Sequence, residues 1–144
     1  MRQNIVPISL KTITKETVPQ YVEQAKSIGA TRVLLCGNGH IYTDSCELRT
    51  NPDDVRFAIE SFRNNNMEVG FWFSAFGHGS VLFGVSPDIG EGKYTSIMGP
   101  DGNVSVHGYC PNDERFRRDY YEGLKLAASF KPDMILLDDD FRIT

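Results

Sequence analysis

The sequence is poor in cysteine and lacks the spacings that tie cysteine or histidine to a metal. Its three cysteines, Cys36, Cys46 and Cys110, are odd in number and widely spaced, and neither Cys-x-x-Cys nor His-Glu-x-x-His occurs. No zinc site is therefore predicted. The pattern favours free thiols in a reducing compartment, and a disulfide between Cys46 and Cys110 stays open because spacing alone does not decide it.

Long apolar runs and clusters of positive charge are also missing. No apolar stretch approaches the ~20 residues that span a membrane, and the net charge of −4 comes without a Lys/Arg run. Neither a membrane nor nucleic acid is therefore expected as a partner. The first strand-like run follows Met1 so closely that no signal peptide fits, which favours a cytoplasmic protein. No Gly-x-Gly-x-x-Gly follows that run, and no cofactor is predicted.

Short apolar runs that alternate with helical periodicity fill the chain instead. The runs predict four strands, Asn4–Leu10, Thr31–Cys36, Met67–Phe76 and Met134–Leu137. Apolar residues at helical spacing predict three intervening helices, which begin near Val18, Asn51 and Asn112. Asn51 and Asn112 are the expected capping residues, and Gly123 is expected to weaken the third helix. The loop after the second strand is expected to continue to about Thr50. Strands that alternate with helices in this way indicate a parallel sheet with right-handed crossovers.

The connection after the third strand is long, from residue 78 to residue 111, and carries a hairpin signal. Tyr94–Met98 and Val104–His107 are β-prone and flank the turn sequence Gly99–Asn103. A connection far above ~12–15 residues is usually functional. We therefore expect residues 1–144 to form one domain with a hairpin inserted in this loop.

Two architectures fit this order: an open doubly wound sheet, and the N-terminal half of a TIM (β/α)₈ barrel. The long polar loops follow the carboxyl ends of the predicted strands, whereas the returns from helix to strand are short. A barrel with its site at the carboxyl end produces that asymmetry. We therefore favour the half barrel, since a full barrel needs ~250 residues and 144 supply four of its eight units.

The last predicted strand leads into Asp138, Asp139, Asp140 and then Arg142. Strand alternation places Asp138 and Asp140 on one face and Asp139 on the other. Repulsion between adjacent carboxylates favours a proton on one of them, and Arg142 favours ionisation of another. Two other interpretations remain open. In one the aspartates cap a helix, pair with Arg142 and face solvent; in the other they are oxygen ligands for Mg²⁺ or Ca²⁺.

Two short motifs carry a resemblance to a known group of enzymes. Leu137–Arg142, preceded by Tyr109–Phe116 with the form Cys-x-Asn-x-x-x-Phe and by a helix, resembles the fourth-strand region of glycoside hydrolase-like TIM barrels of the clan A and clan D types. The resemblance implies a carboxylate at the end of strand four that acts as acid/base or nucleophile. In clan A-like enzymes its partner carboxylate comes from a later strand, which this sequence does not contain.

Further candidates for the site lie in or next to the predicted loops at the same end of the sheet. Asn38, His40 and His78 are predicted to bind substrate, and each is equally a residue type common in turns and loops. Trp72 or Phe76 offers a platform for a sugar ring, although core packing is the commoner role of such aromatics. The predicted substrate-binding set consists of Asn38, His40, Trp72, His78, Asp139 and Arg142.

The sequence therefore predicts hydrolysis of O-glycosidic bonds, with Asp138 and Asp140 as the catalytic carboxylates. The alternatives are a metal-dependent barrel lyase or hydrolase and a non-catalytic carbohydrate-binding domain. A carbohydrate is the expected partner. Four parallel strands leave two edges unpaired, so we also expect a homo-oligomer or a missing C-terminal half, and an isolated chain without activity.

Overall fold

A computed structural model of the 144-residue chain describes residues 4–37, 41, 46–74 and 93–138. The strands are β1 (Ile5–Ser9), β2 (Arg32–Cys36), β3 (Glu68–Ser74), β4 (Ser96–Met98), β5 (Val104–Tyr109) and β6 (Met134–Asp138). The α-helices are α1 (Val18–Ser27), α2 (Glu47–Thr50), α3 (Pro52–Arg63) and α4 (Glu114–Ser129), and a 3₁₀ turn covers Leu10–Thr12.

Four of the strands form one parallel sheet in the order β1-β2-β3-β6. The remaining two, β4 and β5, pair antiparallel as a separate hairpin between β3 and α4. The predicted α/β class, the parallel sheet and the inserted hairpin are thereby confirmed. That residues 1–144 form a single domain stays a prediction.

The strand order bears on the two architectures left open by the sequence. A doubly wound sheet reverses its strand order at a switch point. The four described strands instead follow one another across the sheet in chain order, without a reversal. Because right-handed crossovers then all pass over the same face, the helices form one layer, an arrangement compatible with part of a (β/α) barrel.

The core lies between that helix layer and one face of the sheet. Val33, Leu35, Phe71 and Phe73 are almost fully buried and belong to one cluster with the apolar stripes of α1, α3 and α4. Leu34 is also buried but lies outside this cluster, as expected for a residue on the opposite face. We call that opposite face, which carries none of the core cluster, the open face.

The ends of the helices match the sequence-based expectations in part. Pro19 lies in the first turn of α1, and Gly29 follows its C-cap with φ +66°, a backbone conformation that favours glycine. Asn51 occupies the N-cap position of α3, but its side chain makes no capping hydrogen bond, contrary to the expected cap. Asp113, one residue after the expected cap Asn112, caps α4, because its carboxylate accepts from the N–H groups of Arg115 and Phe116.

Gly123, predicted only to weaken its helix, has a specific role in packing. A Cβ at this position would lie 2.3 Å from the carbonyl oxygen of Ile41, a fully buried residue from the connection after β2. Arg49 of α2 donates to the same oxygen over 2.8 Å. The missing side chain therefore lets that connection dock directly on α4.

None of the helices in the described part of the chain combines the length and apolar character needed to cross a membrane.

Candidate functional site

The carboxyl ends of the four parallel strands meet at one edge of the sheet and bring polar side chains together. The strands end at Ser9, Cys36, Ser74 and Asp138. Ser9 pairs in register with Cys36, and Ser74 pairs with Asp138. Cys36 in turn pairs with Trp72, two residues before Ser74, so the two pairs lie at different levels along the strands. Both pairs place polar groups at the end of the sheet that carries function in α/β folds.

Asp138 and Trp72 lie on the same face of the sheet. Ser74 is two residues after Trp72, and register pairs Trp72 with Leu136 and Ser74 with Asp138. The alternation that buries Phe73 in the core therefore places all four on the open face. Trp72 is half-buried and Asp138 is exposed, so an aromatic ring and a carboxylate border the same solvent-facing surface.

Below this surface the open face is closely packed. A Cβ at Gly70 would lie 2.6 Å from Cγ of Met134 and 2.8 Å from Cδ2 of Leu34. These two side chains therefore close over the glycine from the strands on either side. They form an apolar floor on the open face, two residues before Trp72 along β3 and four residues before Asp138 along β6.

Cys36 pairs with Trp72 in the register of β2 and β3, but its thiol is not activated as a nucleophile. Burial raises the pKa of the Cys36 thiol, an effect that the backbone of Ile8 only partly opposes. The sulfur donates to the carbonyl oxygen of Leu34 over 3.4 Å. A thiol with a raised pKa is a poor nucleophile at neutral pH, so we assign Cys36 to the wall of the site. All three cysteines are free.

The β4–β5 hairpin is held to the start of α4 by Asp113. Its carboxylate accepts from the backbone N–H of Thr95 at 2.7 Å and from that of Arg115 at 2.8 Å. The Arg115 side chain, followed by the Thr95 hydrogen bond, holds the pKa of the Asp113 carboxyl far below its usual range. One ionised residue thus fixes both the helix start and the hairpin.

An aromatic cluster fills the space between the hairpin and α4. Tyr94 packs edge-on against Tyr109 and Phe116, with ring centroids 4.9 and 5.4 Å apart. The Tyr94 hydroxyl donates to Asp119 over 2.7 Å. The hairpin is therefore docked on the helix by packing and by a partly buried hydrogen bond. In the chain it follows β3, whose carboxyl end lies at the polar end of the sheet.

Two of the predicted site residues, Asp138 and Trp72, lie in the part of the chain that the structure describes, and both are on the open face. The other candidates fall outside the described residues: Asn38, His40, Phe76, His78, Asp139, Asp140 and Arg142. Ser9, Cys36 and Ser74 were not predicted. The sequence could have indicated them, because each lies at or near the carboxyl end of a predicted strand.

Potential metal ligands do not cluster in the described ranges, where no group of three His, Cys, Asp or Glu side chains comes together. Of the three aspartates in the metal-ion interpretation, Asp139 and Asp140 lie outside these ranges.

Comparisons with known proteins give a likeness of fold. No protein-family model matches the sequence, and no curated protein matches it. The crystal structure of a hypothetical protein from Ruminiclostridium thermocellum ATCC 27405 is similar with a TM-score of 0.59 and 15% identity, over 92% of this chain and 75% of that chain. The crystal structure of the alpha-galactosidase from Lactobacillus brevis is similar with a TM-score of 0.54 and 14% identity, over 93% of this chain.

The chain spans only 20% of the length of that alpha-galactosidase. At 14–15% identity, both likenesses concern the fold alone. They support a fold similar to part of a glycoside hydrolase, and the chemistry must be argued from the residues of this chain.

Proposed function

We propose that the carboxyl end of this sheet is a glycosidase site in which Asp138 and Asp140 are the catalytic carboxylates. The observation that carries the proposal is the position of Asp138, exposed on the open face at the carboxyl end of β6 and in register with Ser74. The fold likeness to an alpha-galactosidase over 93% of the chain agrees with this assignment.

The surroundings of Asp138 suit a sugar. Glycoside hydrolysis needs carboxylates beside the scissile bond, and sugar rings stack on aromatic faces. Trp72, half-buried on the same face, supplies such a ring, and the hydroxyl of Ser74 lies beside the carboxylate in register. The apolar floor of Leu34 and Met134 excludes water from below.

The remaining predicted contacts belong to the same proposal. Asn38 and His40 follow β2, and His78 follows β3, so all three come after carboxyl ends of parallel strands. Asp139 and Arg142 follow Asp138 in the chain. We assign these five residues to substrate binding, with a carbohydrate as the ligand.

The test is turnover of a panel of aryl α- and β-glycosides by the intact protein and its variants. Asp138→Asn and Asp140→Asn remove the charge and keep the side-chain size. We expect each to lower kcat by about 10²–10⁴-fold, the usual contribution of a positioned acid or base. Asp53→Asn is the matched control, because Asp53 is an exposed carboxylate in the first turn of α3 and should leave turnover unchanged.

Undiminished turnover in both Asp138→Asn and Asp140→Asn would refute the catalytic assignment. Trp72→Ala separates binding from chemistry, since loss of a stacking platform should raise KM more than it lowers kcat. Saturable binding of a glycoside without any turnover by the unsubstituted protein would favour the non-catalytic carbohydrate-binding alternative.

A further inference from the structure

Ser9 ends β1 at the carboxyl end of the sheet, on the open face. The alternation that buries Ile8 in the core turns Ser9 to the opposite side. Ser9 pairs in register with Cys36, and Cys36 pairs with Trp72. Ser9 and Trp72 therefore lie on the same face and at the same level along the strands, with two strand spacings, about 10 Å, between their backbones.

The level that Ser9 occupies lies next to that of the carboxylate. Trp72 pairs with Leu136, and Asp138 follows Leu136 by two residues on the same face. The four residues at this level are half-buried, and so partly open to solvent: Ser9, Cys36, Trp72 and Leu136. A ligand that is stacked on Trp72 and reaches Asp138 on one side therefore extends toward Ser9 on the other.

The hydroxyl of Ser9 does not cap the turn that follows it. Ser9 is the N-cap of the 3₁₀ turn Leu10–Thr12, and serine at an N-cap commonly accepts a hydrogen bond from a backbone N–H of the turn. The Ser9 side chain makes no such capping bond. Capping therefore does not account for a serine at this position.

The backbone of Ser9 is held in place by hydrogen bonds from the start of α1. The Tyr21 hydroxyl donates to Oγ1 of Thr12 over 2.9 Å, and the Thr12 hydroxyl donates to the carbonyl oxygen of Ser9 over 2.9 Å. The hydroxyl of Thr17, the N-cap of α1, donates to the carbonyl oxygen of Thr12 over 2.7 Å. Three side chains therefore tie the end of β1 to the helix that follows it.

Apolar packing fixes the same connection. Leu10 and Ile13, which flank the turn, are 1% and 2% exposed, and both belong to the core cluster. The connection from β1 to α1 thus has two buried anchors and a hydrogen-bonded centre. Binding residues are most effective on such a rigid support, because little conformational entropy is then lost when the ligand binds.

We propose that Ser9 is a substrate-binding residue that exchanges a hydrogen bond with a sugar hydroxyl remote from the scissile bond, and that Thr12 and Tyr21 position it. This inference rests on the proposed function. A serine hydroxyl can both donate and accept, which suits the hydroxyl of a sugar. Since β1 and β6 lie at opposite sides of the described sheet, Ser9 does not touch the reacting atoms beside Asp138. It contributes to affinity and not to the chemical step.

Trp72 is the single tryptophan of the chain, so its fluorescence reports ligand binding at this level of the open face. The intact protein is titrated with the methyl α- and β-pyranosides of glucose, galactose and mannose. For the one that binds best, Ser9→Ala should raise Kd about 2–10-fold, the usual effect of one neutral hydrogen bond. Ser27→Ala, at an exposed serine of α1, is the matched control and should leave Kd unchanged.

Monodeoxy analogues of the same glycoside identify the hydroxyl that Ser9 binds. For one analogue, Ser9→Ala should cause no further loss of affinity, because the analogue and the variant each remove the same hydrogen bond. Additive losses with every analogue would overturn the contact.

The positioning role is tested at Thr12 and Tyr21. Thr12→Val and Tyr21→Phe each remove a hydroxyl from the chain of hydrogen bonds that holds Ser9. Each should raise KM about 2–5-fold and leave kcat within about twofold, whereas Thr12→Ser should keep the KM of the unsubstituted protein. A fall in kcat at unchanged KM, or the same KM for Thr12→Val and Thr12→Ser, would overturn this role. Far-UV circular dichroism checks the fold of each variant, and the two sites keep the test decisive if one variant is not folded.

The results for Ser9 and for the proposed function can be told apart. An unchanged Kd in Ser9→Ala, together with turnover that Asp138→Asn removes, would overturn the role of Ser9 and leave the glycosidase assignment in place. A raised Kd in Ser9→Ala without turnover by the unsubstituted protein would support the role of Ser9 in binding and refute catalysis. A protein that neither binds nor turns over any of these glycosides would refute both.

Discussion

The two ends of the parallel sheet differ in how their polar groups are used. At the amino end, Asp133 accepts from the backbone N–H of Val69 at 2.7 Å and lies 3.2 Å from the Arg63 guanidinium, and Arg32 pairs with Glu68 across neighbouring strands. These charges are bound to partners within the fold. They join the start of β6 to β3 and the end of α3.

At the carboxyl end, Asp138 is exposed beside Ser74, and the connections that follow the strands are longer. The comparison shows a division between an end that holds the sheet together and an end that presents side chains to solvent. Parallel α/β folds commonly divide stability and function in this way. The division can be tested by substitutions on both sides.

The largest effect on stability is expected at Gly123, where the connection that follows the carboxyl end of β2 packs on α4. Gly123→Ala places a Cβ against the Ile41 carbonyl, where 2.3 Å is too short for any contact. Overpacking should outweigh the better helix propensity of alanine and lower the free energy of unfolding by about 2 kcal/mol. Urea denaturation measures the free energy of unfolding, and Glu122→Ala on the exposed face of α4 is the control. A stabilised Gly123→Ala protein would show that the connection does not dock on α4.

A smaller effect distinguishes the two ends directly. Asp133→Ala leaves the Val69 N–H without its acceptor and removes the carboxylate that pairs with Arg63, and it should cost about 1–2 kcal/mol of unfolding free energy. Asp138→Ala, at the exposed carboxyl end, should change stability by less than about 0.5 kcal/mol. Denaturation of the two variants under the same conditions makes the comparison. Equal losses would contradict the proposed division of the ends.

The smallest expected effect is the loss of folding stability at acid pH through protonation of Asp133. Burial alone would raise the pKa of Asp133, but the Val69 hydrogen bond and Arg63 together hold that pKa below its usual value. The unfolded chain, with an aspartate pKa near ~3.9, then binds more protons than the folded chain in this range. The contribution of Asp133 to the free energy of unfolding should therefore be fully present above about pH 5 and should be lost as the pH drops below about 4.

Denaturation midpoints at pH 7 and pH 3 measure this dependence. Asp113, whose pKa is also lowered, should contribute in the same direction. Asp133→Asn should make the decline between the two pH values shallower. The same decline in Asp133→Asn and in the unsubstituted protein would exclude Asp133 as a source of the acid sensitivity.

Much of the fold could be predicted from the sequence because its signals are local. The apolar centre of Thr31–Cys36 predicted a strand that the structure places at Arg32–Cys36, and the β-prone runs around Gly99–Asn103 predicted the hairpin. Asn112 predicted the start of α4 two residues before its first residue, Glu114. Each of these signals lies within a few residues of the structure that it specifies.

The misses have different causes, and one of them depends on a distant residue. Gly123 was predicted to be a weak point of its helix, but its role depends on Ile41, which lies far away in the sequence. The short helix α2 was assigned to a loop, since four residues carry too little periodicity. Asn51 has the composition of a capping residue, but its backbone at φ −134° and ψ 52° and the absence of a side-chain bond show that another arrangement is preferred.

For the candidate site, the sequence by itself determined that Asp138 follows a buried strand and that Trp72 and Phe73 face opposite ways, because side chains alternate along any strand. Only the tertiary structure decided that Trp72, not Phe73, lies on the open face, and that Ser74 is the neighbour of Asp138. The physical reason is the range of the interactions. Alternation is a property of one strand, whereas strand order and register depend on packing between segments 64 residues apart, as are Ser74 and Asp138.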